Sequence, residues 1–129
     1  MRHAHAVTHQ IAIDVEPRFL REHSSADDGQ WLFAYHITIS NQSAEEVTLI
    51  SREWVITNGH GRVEHVRGPG VVGVQPRLAP GQAFRYTSGC PLDTAVGSMA
   101  GTYHMRSATG REFAVDIPEF ALFDPDCVN

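Results

Sequence analysis

The residues of this chain with the most chemical potential lie between Arg67 and Arg77, in the run RGPGVVGVQPR. Gly68-Pro69-Gly70-Val71-Val72-Gly73 matches the G-x-G-x-x-G string of dinucleotide-binding proteins, whose glycines let backbone approach a pyrophosphate on a helix N-terminus. That chemistry needs the helix. After Gly73 the chain reads VQPRLAPG, and Pro76 and Pro80 each remove an N–H and fix φ, so no helix starts and continues. The string therefore reads as a loop whose small residues satisfy backbone angles. Such a loop can also present N–H groups in a concave nest to an anion or a partner, with Arg67 and Arg77 at its ends to complement negative charge. The candidate binding residues are Arg67, Gly68, Pro69, Gly70, Val71, Val72, Gly73 and Arg77.

Histidine is the second candidate chemistry, with eight in the chain and His3, His5 and His9 in the opening MRHAHAVTHQ. His3 follows Met1-Arg2, so the terminal amine, two amides and the imidazole can form a square-planar site for Cu(II) or Ni(II), to which His5 can add. The competing reading is a solvated tail. Mg²⁺ prefers oxygen ligands, and the acidic residues here are scattered over turns and strands. The remaining chemistry is sparse. Glu53 has no partner in view, and Arg52 beside it points the opposite way within one strand. No Ser-His-Asp order, paired carboxylates or ligand-spaced cluster emerges, which favours a non-enzymatic role with no cofactor. Cys90 and Cys127 form no C-x-x-C pair and read as free thiols in a reducing cytosol.

The elements that must position these residues are strands. Val7 to Val15 alternates apolar and polar residues and reads as one strand, edged by Pro17. Gln30 to Ser40 reads as a central strand with Trp31, Phe33, Tyr35, Ile37 and Ile39 on one face. Glu46 to Asn58 carries apolar residues on both faces near Trp54, the mark of double coverage or a bulge. Asn58-Gly59 predicts a type I′ hairpin turn leading into Arg62–Arg67. Ala79-Pro80-Gly81-Gln82 predicts a type II turn before a strand from Ala83. Two further strands follow, around Tyr103 and Val115, joined at Ala108-Thr109-Gly110. Tyr103 is either a core tyrosine or a tyrosine-corner residue bonding upstream backbone.

The sum is an all-β chain of roughly seven to eight strands, an antiparallel β-sandwich of immunoglobulin or fibronectin type III character, with a small barrel as the alternative. At 129 residues it forms a single domain, with residues 1–6 and 124–129 read as mobile ends. A 42% hydrophobic and 19% charged composition is that of a globular domain. The net charge of -5 disfavours a nucleic-acid surface built on phosphate contacts. No apolar run approaches membrane-spanning length and no secretory signal opens the chain, so a soluble, cytoplasmic protein is expected.

Several motifs also occur in a recognisable order: ISREWVITNGHGRVEHVRGPGVVGVQPRLAPGQAFRYTSGCPL, then GSMAGTYHM, then FAVDIPEFAL. From about Ile11 to Leu122 the chain resembles the bacterial ApaG family. The family glycine motif falls on Gly68, Gly70 and Gly73, and its P-G-x-x-F-x-Y-x-S-G falls on Pro80, Gly81, Phe84, Tyr86, Ser88 and Gly89. Pro69 departs from the charged residue of many members, and Cys90 follows the Ser-Gly. The resemblance implies a fibronectin type III-like sandwich and an association with magnesium and cobalt homeostasis. It also implies gene neighbourhoods for diadenosine tetraphosphate hydrolysis, and the related domains in F-box and polymerase-interacting proteins imply an interaction module. The expected partner is a protein, with a homo-oligomer possible. The alternative is a pyrophosphate or nucleotide-polyphosphate sensor using Gly68–Gly73.

Overall fold

The computed structural model describes residues 3–127 as two antiparallel sheets packed face to face. The strands are β1 (Ala4–Thr8), β2 (Ile11–Phe19), β3 (Trp31–Asn41), β4 (Val47–Asn58), β5 (Val63–Pro69), β6 (Arg77–Leu78), β7 (Ala83–Leu92), β8 (Val96–Ser107) and β9 (Glu112–Phe123). One sheet has the order β1-β2-β3-β7; the other runs β5-β4-β8-β9, with β6 paired to β4. The β-sandwich expected from the alternation is thus the fold. Phe33, Tyr35, Ile37 and Ile39 of β3 are all buried, while β8 and β9 contribute Met99, Tyr103, Met105, Val115 and Ile117 from the facing sheet. Tyr35, Trp54 and Phe120 join the layers, with ring centroids 5.2 to 6.0 Å apart. Aromatic pairs in these geometries add about 0.5–1.5 kcal/mol each beyond the area they bury.

The expected first strand is in fact two. His9 and Gln10 adopt φ of 50° and 65°, the signature of a two-residue type I′ turn, and Thr8 lies opposite Ile11. Partners across such a turn differ by three positions, so inside–outside parity reverses. Ile11, Ile13 and Val15 are buried, while Val7, in step with them along the sequence, is 52% exposed. Ala4–Ala6 lie in β1 instead of a free tail. Pro17 lies within β2, opposite Tyr35 of β3 and beyond the last described β1 pair, Ala4 with Val15, so it does not end the strand. At the other end Asp124 is buried and accepts the Asp126 N–H at 3.0 Å.

The Asn58-Gly59 turn is also built differently. Gly61 carries the positive φ of 81° and its N–H donates to the Asn58 carbonyl at 3.0 Å. The Asn58 side-chain carbonyl accepts the N–H groups of His60 and Arg62 at 3.0 and 2.9 Å, so the side chain organises the turn. The Pro80-Gly81 turn forms as expected: Gly81 has φ 86° and the Gln82 N–H donates to the Ala79 carbonyl at 2.9 Å.

β9 packs against β1 and β2 and closes one side of the sandwich. The opposite side is bounded by β5 and β7, which among the described residues pair only with β4 and β3 respectively. This open side carries the features described next.

Candidate functional site

The site begins with a register fault. The pairing of β4 with β8 shifts between Leu49 and Ser51, a bulge at Ile50. Val47 and Leu49 point into the core before it, and Trp54 after it. Arg52 shares the Trp54 face, so the bulge turns a guanidinium toward the interior. Its partners across the sheet are Tyr103 on β8 and Gly68 on β5.

Gly68 makes room for that side chain: a Cβ there would lie 3.0 Å from Arg52 Nη1. Arg52 Nη1 reaches across and donates to the Pro69 and Gly70 carbonyls, both at 3.0 Å. Gly70 N–H donates to the Ile50 carbonyl at 2.8 Å, which ties the loop to the bulge. At Gly70 a Cβ would fall 2.1 Å from the Val74 carbonyl oxygen, so no other residue fits. Val71 and Val74 then exchange both backbone bonds, at 2.8 and 2.9 Å, around a two-residue turn. The turn residues are Val72 at φ 43° and Gly73 at φ 83°. Val71 is fully buried and anchors the hairpin, while Val72 and Val74 are 54% and 46% exposed.

The proposed loop residues are therefore contiguous, but the flanking arginines face elsewhere. Arg67 lies opposite Glu53 on the outer face and its Nη2 is 3.0 Å from Glu53 Oε1. His104 Nε2 approaches the other oxygen of Glu53 at 3.7 Å. Arg77 Nε is 3.7 Å from Glu46 Oε1. The arginine that bonds the glycine loop is Arg52, which the spacing of the glycine string did not indicate. Its signal was in the sequence: an arginine at a position where Trp54 and the expected bulge implied an inward face.

Between the β5 and β7 edges lies a cleft of 340 Å³ bordered by Tyr35, Arg52, Trp54, Val66, Ser88 and Cys90. A smaller recess of 150 Å³ continues beneath the loop, lined by Tyr35, Arg52, Val71, Val72, Tyr86 and Ser88. Tyr86 and Tyr103 bring their hydroxyls within 2.5 Å of each other across the sandwich. This bond replaces the backbone contact of a tyrosine corner. Burial pushes the phenols of Tyr35, Tyr86 and Tyr103 upward, more strongly than the Arg52 charge lowers them, so all three are neutral O–H groups at physiological pH. Burial likewise pushes the Cys90 thiol up to about 11, which suppresses thiolate chemistry. Cys90 and Cys127 are both free, as expected.

The N-terminal histidines take part in cross-strand pairs. His5 Nδ1 lies 2.6 Å from Asp14 Oδ1, and His3 Nε2 lies 3.7 Å from Glu16 Oε1. Met1 and Arg2, which complete the square-planar chelate, lie outside the described residues. Among the described residues no group of three or more His, Cys, Asp or Glu is placed to hold a metal ion. None of their helices is long and apolar enough to cross a membrane.

The sequence pattern of the ApaG domain matches residues 21–107. Protein ApaG of Bradyrhizobium sp. (strain ORS 278) is 55% identical over 121 residues, spanning 94% of this chain and 93% of that one. Protein ApaG of Mesorhizobium japonicum is 52% identical over 117 residues, 91% of this chain and 90% of that one. The crystal structure of a Bordetella pertussis protein named ApaA superposes with a TM-score of 0.87 at 49% identity, covering 89% of this chain and 94% of that chain. The sandwich thus has a known architecture, and the chain belongs to the ApaG domain family.

Proposed function

We propose that this chain is a non-enzymatic binding domain that docks a protein partner on the glycine hairpin and the adjoining β5–β7 side. One observation carries the reading. Val72 is a β-branched residue held at φ 43° and left 54% exposed at the hairpin tip. A β-branched side chain in this region costs on the order of 1–2 kcal/mol, and asparagine or glycine would relieve it. Strain of this kind persists at sites of recognition, where the side chain serves something outside the fold. Val74 beside it, 46% exposed, extends the apolar tip. We carry over the cytoplasmic setting expected from the sequence and, from the family resemblance, an association with magnesium and cobalt homeostasis, exerted through the partner.

The test exploits the strain. Val72→Asn creates Asn-Gly at a type I′ turn, so it stabilises the fold while removing the apolar contact. A partner identified by capture on the wild-type chain, then titrated against both proteins, is expected to bind the variant at least about tenfold more weakly. Equal affinity removes the hairpin as the docking surface.

The second reading is a pyrophosphate or nucleotide-polyphosphate sensor. Arg52 beside Gly68 supports it. Arg67 would have to exchange Glu53 for a phosphate. Calorimetry with pyrophosphate, ATP and a diadenosine polyphosphate decides it, and no heat at millimolar ligand ends it.

A further inference from the structure

We infer that the Arg52 end of the cleft between β5 and β7 binds a single carboxylate borne on a small apolar or aromatic body. The inference deepens the binding-domain reading and rests on it. Arg52 is half-buried, and among the described residues it has no carboxylate within ion-pair distance, whereas Arg67, Arg77 and Arg106 each have one. Its two hydrogen bonds both leave from Nη1 and go to main-chain carbonyls, so Nη2 and Nε keep donors for a ligand. A half-buried guanidinium with neutral acceptors only is an incomplete arrangement that an anion completes.

The surroundings select the anion. Tyr86 is bonded to Tyr103, the more deeply buried of the two. With Tyr103 donating, the Tyr86 hydroxyl proton is free to point into the recess it lines with Tyr35 and Ser88. One guanidinium and neutral hydroxyls balance one charge. A phosphate dianion would need a second cation, and Arg67 and Arg77 are engaged with Glu53 and Glu46. Trp54, 3% exposed, supplies an apolar wall, and the 340 Å³ volume suits a ring or short chain. Glu64 borders the same cleft and directs the charged end toward Arg52.

The full chain is titrated by ¹H–¹⁵N correlation spectroscopy with benzoate, benzyl alcohol, inorganic phosphate, and N-acetyl-Gly-Phe as free acid and as amide. Benzoate or the peptide acid is expected to shift the Gly68, Gly70 and Gly89 amides saturably, and benzyl alcohol and the amide to bind at least about tenfold more weakly. Arg52→Gln is expected to lose about tenfold or more, and Tyr86→Phe, which leaves every loop contact in place, several-fold. Preference for benzoate identifies a small metabolite as the source; preference for the peptide acid identifies a partner's C-terminus. Phosphate binding as tightly as either carboxylate overturns the inference. So does carboxylate binding unaffected by Tyr86→Phe, or no saturable shift with either acid. Partner docking is read with Val72→Asn, and carboxylate binding with the wild-type, Arg52→Gln and Tyr86→Phe chains, so the two readouts are separate. A Val72-dependent partner without carboxylate binding therefore sinks only the carboxylate site, and the converse sinks only the docking surface.

Discussion

Arg52 lies across Gly68: a Cβ on the glycine would sit 3.0 Å from the Arg52 Nη1 that bonds the Pro69 and Gly70 carbonyls. The glycine string and the arginine are one device. The bulge at Ile50 turns Arg52 inward, Gly68 gives it passage, and Arg52 in turn holds the carbonyl side of the loop. The Pro69 and Gly70 carbonyls face a guanidinium and are oriented for internal bonding, and Pro76 and Pro80 follow where a dinucleotide-binding motif would continue into a helix.

The glycines differ in how strictly they are required. Gly70→Ala forces a Cβ to 2.1 Å from the Val74 carbonyl and is expected to destabilise by more than about 3 kcal/mol. Gly73→Ala meets nothing within 4 Å, and its φ of 83° alone costs about 1–2 kcal/mol. Urea unfolding of the two variants checks the order; equal losses contradict this account of the hairpin.

Val72→Asn is expected to raise stability by about 1 kcal/mol, because asparagine tolerates the left-handed region and suits the first position of a type I′ turn. The same denaturation experiment reads it. A destabilised variant would show that Val72 is packed, not strained.

The buried phenols set an alkaline limit. In the unfolded chain tyrosine ionises near pH 10, while burial raises Tyr86 and Tyr103 above that in the fold. The folded state then binds more protons than the unfolded state, so stability is full below about pH 10 and falls as pH rises beyond it. Tyr86→Phe is expected to flatten that fall and to cost about 1–2 kcal/mol at neutral pH. Denaturation midpoints between pH 8 and pH 11 give the comparison, and an unchanged slope in the variant contradicts it.

Glu53→Gln tests the division between the two faces of β4. It frees Arg67 and His104 on the outer face, where exposed ion pairs contribute about 0–1 kcal/mol. Stability is expected to change by no more than that, and carboxylate titration of the inner cleft not at all. A large effect on the cleft would mean that Arg67 serves the inner face.

The strands and most turns were legible because alternation and turn residues act locally. Trp31 to Ile39 announces a half-buried strand by itself, and Pro80-Gly81 announces its turn. The His9-Gln10 turn was not legible: neither residue is a usual type I′ choice, and the two-residue turn keeps the spacing of apolar positions while reversing their face. The glycine loop could be located, but the roles of its arginines could not. Arg67 and Arg77 flank the glycines in sequence, yet pairing with β4 gives each a carboxylate. Arg52 lies far along the chain and reaches the loop only through strand register and a bulge, which periodicity can suggest but not fix.

Amide hydrogen exchange on the chain, alone and with its captured partner bound, tests most directly whether the domain acts by contact through its glycine hairpin. The account predicts slowed exchange confined to residues 68–74 and the β7 edge, Ala83–Leu92. Slowing confined to the β1–β2 outer face, with residues 68–74 unchanged, would contradict it.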